Sequence, residues 1–180
     1  MAHVLAVASA VSLCLGGGTF GTANVVHAAP SVSGVATVSN MPDGFAKGVD
    51  ISAVIALEKS GASYSFLDGT SGDIFQILSG AGVNYVRIRV WNNPYDSKPP
   101  YKGYGAGNCD LYNAKILGKR ATDAGMKVLI DFHYSDFWAD PAKQFAPKEW
   151  ANYSLAYKKD AVYNFTYQSL QALLDYGVNV

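Results

Sequence analysis

The spacing of apolar and polar positions divides the chain into alternating strand-like and helix-like segments. Residues 84–91, NYVRIRVW, keep a strict period of two. Val86, Ile88 and Val90 share one face, and Tyr85, Arg87, Arg89 and Trp91 share the other. Residues 127–132 repeat the device, with Val128, Ile130 and Phe132 on one face. Leu129, Asp131 and, at the strand's end, His133 lie on the other. A further strand is predicted over 44–51, with Asp50 near its end. Between the strands the period lengthens to that of a helix. A short helical piece ends at Gly61, and residues 73–81 carry Ile74, Ile77, Leu78 and Ala81 before Gly82. Residues 110–124 open on a capping Asp110, show Leu111, Ala114, Leu117 and Ala121, and stop at Gly125. Residues 160–176 show Val162, Phe165, Leu170 and Leu173 before Gly177, and 178–180 begin another strand.

Strand, helix, strand, helix with apolar strands predicts an α/β fold with a parallel sheet and right-handed crossovers. The extra length of each unit falls after the strand, where such folds place their chemistry. A complete eight-unit barrel takes about 250 residues. This chain holds three units and the start of a fourth strand. The pattern therefore fits either a smaller open sheet or the first half of a barrel.

The polar faces of these strands are unusual for a core. Arginine pointing into a barrel must be paired with carboxylate, because an unpaired buried charge costs several kcal/mol. Asp131 is the expected partner of Arg87 and Arg89, and Asp50 occupies the comparable place on the first strand. Residues 131–141, DFHYSDFWADP, add a histidine and a tryptophan to the end of the third. Trp91 and Trp138, among Tyr95, Tyr134 and Phe137, suggest a platform on which sugar rings stack. A metal site at Asp131, His133 and Asp136 is disfavoured by the scarcity of histidine. No G-x-S-x-G elbow is present, and GYGAGN at 103–108 lacks both the P-loop ending and the dinucleotide fingerprint, so it reads as a loop.

Composition narrows the partners. Fourteen basic and fourteen acidic residues give a net charge of zero, which argues against nucleic acid or an anionic membrane. The apolar run 4–15, closed by Gly16-Gly17-Gly18 and followed by Val26-His27-Ala28, reads as a secretory leader (1–28) cut near Ala28. Residues 29–43 form a linker and 44–180 the folded part. Cys14 leaves with the leader, so Cys109 stands alone and no internal disulfide is expected. Its place at a helix N-terminus would favour a thiolate. Asn152-Tyr-Ser and Asn164-Phe-Thr are glycosylation sequons.

The stretches VRIRVWNNPYD, KRATDAGMKVLIDFHYSDFWADP and GVDIS together resemble the endo-β-1,4-galactanases of glycoside hydrolase family 53, from about Phe45 onward. The resemblance implies a (β/α)8 TIM barrel, here strands one to three plus the start of strand four. It implies a secreted enzyme, monomeric at full length, that cuts the β-1,4-galactan of type I arabinogalactan in pectin internally and with retention. Arg89 resembles the clan arginine that supports the nucleophile carboxylate. His133 and Trp138 resemble members of the substrate cleft, joined by Asp131, Trp91 and Asp50. No cofactor is implied; calcium occurs in the family, but no ligands for it are read here. The family's acid/base glutamate follows an Asn at the end of strand four, and its nucleophile lies on strand seven, both beyond Val180. Glu58 and Glu149, the chain's two glutamates, match neither motif. Retaining hydrolysis needs two carboxyl groups about 5–5.5 Å apart, so no catalytic residue is expected in this chain and the polypeptide alone is expected to be inactive. A non-catalytic galactan-binding protein and a same-clan glycosidase of other specificity are the alternatives.

Overall fold

In the computed structural model, residues 38–103 and 109–180 are described. The leader, Cys14, most of the linker and residues 104–108 of the glycine-rich loop lie outside them. Three strands, β1 (Gly48–Asp50), β2 (Tyr85–Val90) and β3 (Lys127–Phe132), form a parallel sheet in the order β1-β2-β3. Helices α1 (Val54–Lys59) and α2 (Ile74–Gly80) follow β1, α3 (Leu111–Asp123) follows β2, and α4 (Leu155–Asp175) follows β3. A single 3-10 turn, Lys148–Trp150, precedes α4.

The alternation read from the sequence decides which face the helices cover. Val86, Ile88, Val90 and Val128 are buried against Val54, Phe75, Ala114, Leu117, Ala121 and Leu173. Each of the Val, Ile, Leu and Phe side chains contributes about 1.5–3 kcal/mol by leaving water. The other face stays polar or open, with Leu129 half exposed. β1 is shorter than the predicted 44–51. Its entry is pinned by Asn84, whose side-chain oxygen accepts from Lys47 N–H at 2.7 Å while its amide donates to Phe45 O at 2.9 Å.

The last helix starts five residues before the predicted position. Ser154 caps it by accepting from the Tyr157 N–H, and the first turn presents Leu155 and Tyr157 to solvent. That turn adds nothing to an apolar stripe, so the cap and not the stripe sets the boundary. Residues 178–180 carry no strand assignment. Nevertheless Val178 is buried and Val128 N–H donates to Asn179 O at 2.9 Å, which lays this segment beside β3. Gly125 and Gly177, at φ +80° and +81°, turn the chain out of α3 and α4 in the left-handed conformation that glycine adopts freely.

The helical shell is clamped by one arginine. Arg120 of α3 donates to both oxygens of Glu58 at 2.9 and 2.7 Å and to Asp73 at 2.6 Å, and it lies 4.5 Å over the Phe75 ring. Its pKa is raised, first by the Glu58 hydrogen bond and then, against desolvation, by Asp73. One guanidinium thus ties α1, α2 and α3 together, and it commits Glu58 to the outside of the sheet.

Gly118 fits α3 against the segment after α4. A Cβ there would meet the Val178 methyls at 2.7 and 3.0 Å. Gly118→Ala gains about 1 kcal/mol of helix propensity, but overpacking costs about 1–3 kcal/mol. A net loss of stability is expected in urea unfolding, whereas an Ala substitution at an exposed site such as Tyr112 leaves the midpoint near its original value.

Candidate functional site

The parallel register lines up charge across the three strand ends. Asp50 pairs in register with Arg87, and Arg89 with Asp131. One carboxylate oxygen, Asp50 Oδ2, accepts from Arg87 Nε at 2.8 Å and from Arg89 Nη1 at 2.9 Å. Arg87 and Arg89 lie on the same face of β2, so a single side chain on β1 reaches both. Asp131 is therefore not their main partner. It stands 3.8 Å from Arg87 Nε and 3.4 Å from His133 Nε2, bridging Arg87 to the histidine. Burial would raise the Asp50 carboxyl. Hydrogen bonds from the Ser52 N–H and hydroxyl and from Arg87, with the Arg89 charge, overcome it and hold Asp50 below the usual carboxylate range.

Arg89 is the buried member, 8% exposed. Its backbone N–H donates to Ser52 Oγ at 2.9 Å, and its guanidinium lies 4.3 Å from the Trp138 ring centroid. Its Nε–H has no acceptor among the described residues. Cys109 is packed beside it. The thiol is pushed up, chiefly by burial, with Arg89 opposing. The thiolate expected from the helix N-terminus is thus corrected: exclusion from water outweighs the dipole.

The histidine tautomer follows from its neighbours. Trp91 Nε1–H and Ala139 N–H both point at His133 Nδ1, at 3.1 and 3.3 Å. Nδ1 is an acceptor, so the proton resides on Nε2, toward Asp131. Trp91 is fully buried and touches Trp138 edge-on at 5.6 Å, with Phe137 also at 5.6 Å. It is the base of the platform and not its surface. Trp138, 36% exposed, is a ring a ligand can reach, as is its neighbour Phe137. Two expected platform members lie elsewhere. Tyr134 stacks on Phe132 and hydrogen-bonds Thr166 Oγ1 at 2.9 Å. Tyr95 donates its hydroxyl to Asp110, the cap of α3. Burial and then that bond push the Tyr95 pKa up to about 12, so it serves as a permanent donor.

The loops that carry these rings are joined by Asp136 and Lys148. Asp136 Oδ1 accepts from Asn93 N–H at 2.9 Å, and Oδ2 accepts from Lys148 N–H at 2.8 Å. Lys148 Nζ donates to the carbonyls of Asn93 and Tyr95, both at 2.7 Å. Asp136, weighed in the sequence only as a metal ligand, instead clasps three segments two residues from Trp138. An aspartate in the polar stretch after β3 was its one signal in the sequence. Its partners, 12 and 43 residues distant, are invisible to local pattern. Among the described residues, no three His, Cys, Asp or Glu converge as a metal site.

A parallel sheet with helices on its apolar face is the N-terminal part of a (β/α)8 barrel, and the paired-charge and aromatic cluster lies at the strands' C-terminal ends, the end at which such barrels carry their sites. The profile of glycosyl hydrolase family 53 matches residues 46–180, and the chain belongs to that family. It is similar to the endo-beta-1,4-galactanase of Bacillus subtilis (strain 168), 56% identical over 81% of this chain and 34% of the relative. It is also similar to the arabinogalactan endo-beta-1,4-galactanase of Humicola insolens, 42% identical over 74% of this chain and 37% of that protein. Among solved structures, the Ignisphaera aggregans GH53 catalytic domain superposes with a TM-score of 0.76 at 42% identity, over 81% of this chain and 40% of that one. The chain thus spans about a third of the length of the curated relatives it matches.

Removing the shared carboxylate leaves a buried charge alone. Asp50→Ala is expected to cost about 3 kcal/mol in urea unfolding. Arg87→Ala, at a half-exposed position, is expected to cost about 1 kcal/mol or less. Because the folded Asp50 carboxyl sits below its unfolded value, its contribution is fully present above the unfolded pKa of about 3.9. It is lost as pH falls through the lower folded value. An Asp50→Asn chain should therefore lose less stability than the parent over that acid range. Asp136→Asn has one acceptor oxygen where two N–H groups need acceptors. It should change the near-ultraviolet circular dichroism of the Trp91–Trp138 pair and cost about 1–3 kcal/mol.

Proposed function

We propose that this chain forms the arginine and tryptophan side of the substrate cleft of a secreted endo-β-1,4-galactanase that acts on type I arabinogalactan with retention of configuration. The observation that carries the proposal is Arg89, a buried cation at the C-terminal end of β2 with the exposed Trp138 ring laid over it. The similarity to proteins named endo-beta-1,4-galactanase supplies the substrate.

In this reading the described carboxylates support catalysis and do not perform it. Asp50 neutralises the arginines, Asp136 clasps the loops, Asp110 caps α3 and Glu58 holds Arg120. The glutamate acid/base and nucleophile that retaining hydrolysis requires are supplied by the later barrel strands. The fixed positive charge of Arg89, held away from water, keeps a facing carboxylate ionised and aligned. Trp138 offers its ring to the C–H face of a galactose unit, and His133 Nε2–H and Asp131 are placed to bond hydroxyl groups. The cleavage of galactan comes from the whole enzyme.

A second reading, galactan binding without cleavage, is favoured by one feature. The rings of Trp91, His133, Phe137 and Trp138 assemble entirely from residues of this chain. One experiment tests what both readings require. The 180-residue polypeptide is expected to be retarded in a galactan-containing gel, to lose that retardation on Trp138→Ala, and to release no galacto-oligosaccharides. Oligosaccharide release by the purified polypeptide would overturn the assignment of the catalytic pair, and equal retardation of Trp138→Ala would overturn the platform. The leader is checked by the mass of the extracellular protein, which should begin near Ala29.

A further inference from the structure

His133 is fixed through its backbone and holds the loop beyond it through its ring. Its N–H donates to Val90 O at 3.2 Å, which carries the β2–β3 ladder one residue past β3. The imidazole is 11% exposed and lies 5.9 Å from the Trp138 ring and 6.1 Å from the Trp91 ring. Nδ1 receives two donors, Trp91 Nε1–H at 3.1 Å and Ala139 N–H at 3.3 Å. One comes from the end of β2, the other from the loop that presents Trp138.

Both bonds need a lone pair that only the neutral ring has. Imidazolium donates from both nitrogens, so a proton on Nδ1 sets N–H against N–H, and turning the ring over restores no acceptor. Nε2 carries its proton in either state, so Asp131, 3.4 Å away, keeps its partner throughout. The partner that gives way is decided by how each is held. Trp91 is fully buried, and its backbone N–H is tied to Cys109 O at 2.6 Å. Ala139 is half-buried, three residues beyond the Asp136 clasp. Ala139, and Trp138 with it, is the side free to move. The new charge also arises beside a ring that already rests on Arg89.

The charged groups around the histidine are Asp131 on its own strand, Arg87 and Arg89 on β2, Asp50 on β1, and Asp136 with Lys148 in the loop. His133 is the only histidine among the described residues; His3 and His27 fall in the expected leader.

We propose that His133 is a positioning residue for Trp138: its neutral Nδ1 seats the loop that presents the ring, and protonation in mild acid unseats it. Trp138 is the ring offered to galactan in the reading above. The seating is tested without any sugar, so the two ideas stand or fall separately.

The 180-residue chain is titrated from about pH 8 to about pH 5, the interval in which histidine changes charge. Imidazole nitrogen NMR shifts report the proton on Nδ1. As it arrives, the exchange protection of the Trp91 indole N–H and the Ala139 N–H is expected to fall about twofold to tenfold, the factor carried by one hydrogen bond. The near-ultraviolet circular dichroism of the Trp91–Trp138 pair should weaken in step, with the far-ultraviolet signal unchanged. His133→Asn supplies an amide oxygen close to the place of Nδ1, able to accept both bonds without titrating. That chain should hold one near-ultraviolet signal across the whole interval. A parent whose Nδ1 is protonated while both N–H groups stay protected would overturn the proposal, and so would an imidazole that stays neutral throughout. The parent's acid change persisting in His133→Asn would overturn it by assigning the change to another group. A far-ultraviolet loss in parallel would do the same, because the whole chain would then be unfolding.

Discussion

The Asp50 carboxylate, shared between Arg87 and Arg89, is the interaction on which the polar half of this structure depends. A guanidinium as covered as Arg89 is tolerable only where a carboxylate meets it, since breaking such a pair costs about 3–5 kcal/mol. That requirement fixes the register of β1 on β2, because a slip of one residue would turn Asp50 to the helix side and leave the buried Arg89 unpaired. The apolar and polar faces of the sheet are therefore mutually constraining. Val86, Ile88 and Val90 can enter the helical core only if Arg87 and Arg89 point the other way.

Two kinds of support meet at the site, and they come from different levels of the fold. Charge is held by the strands, where backbone pairing sets positions. Aromatic rings are held by loops, where no ladder exists, and this is why the Asp136–Lys148 clasp is needed. It carries the β2–β3 alignment past the last ladder residues, helped by Asn92 N–H donating to Ser135 O at 2.8 Å. Arg89 joins the two systems, bonded on one side to Asp50 and covered on the other by Trp138. Tyr134, at φ +48° at the end of β3, lies where strand geometry gives way to the loop that carries Trp138.

Much of this was legible in the sequence because it follows short periods. The bounds of β3, the two faces of β2 and the Asp110 cap all appear as predicted from positions a few residues apart. The bounds of β1 and α4 did not, since one depends on Asn84 across the sheet and the other on a cap ahead of any apolar stripe. At the site, the six singled-out residues, Asp50, Arg89, Trp91, Asp131, His133 and Trp138, do come together. Their division of labour was not legible. That Asp50 outranks Asp131, or that Trp91 lies beneath Trp138, is decided by which loop closes over which strand.

The same reasoning explains why buried and exposed aromatics here have opposite tasks. Trp91 has lost all contact with water and spends its single N–H on His133, so it can set the histidine's tautomer and the height of Trp138 but cannot meet a ligand. Trp138 has one face occupied by a cation and part of its surface open. A cation beneath a ring polarises it and fixes its orientation, so any ligand stacking there would meet a surface already immobilised, with little rotamer freedom left to lose on binding. Arg89 then has two neighbours to serve: it pairs with Asp50 on one side and anchors the Trp138 ring on the other.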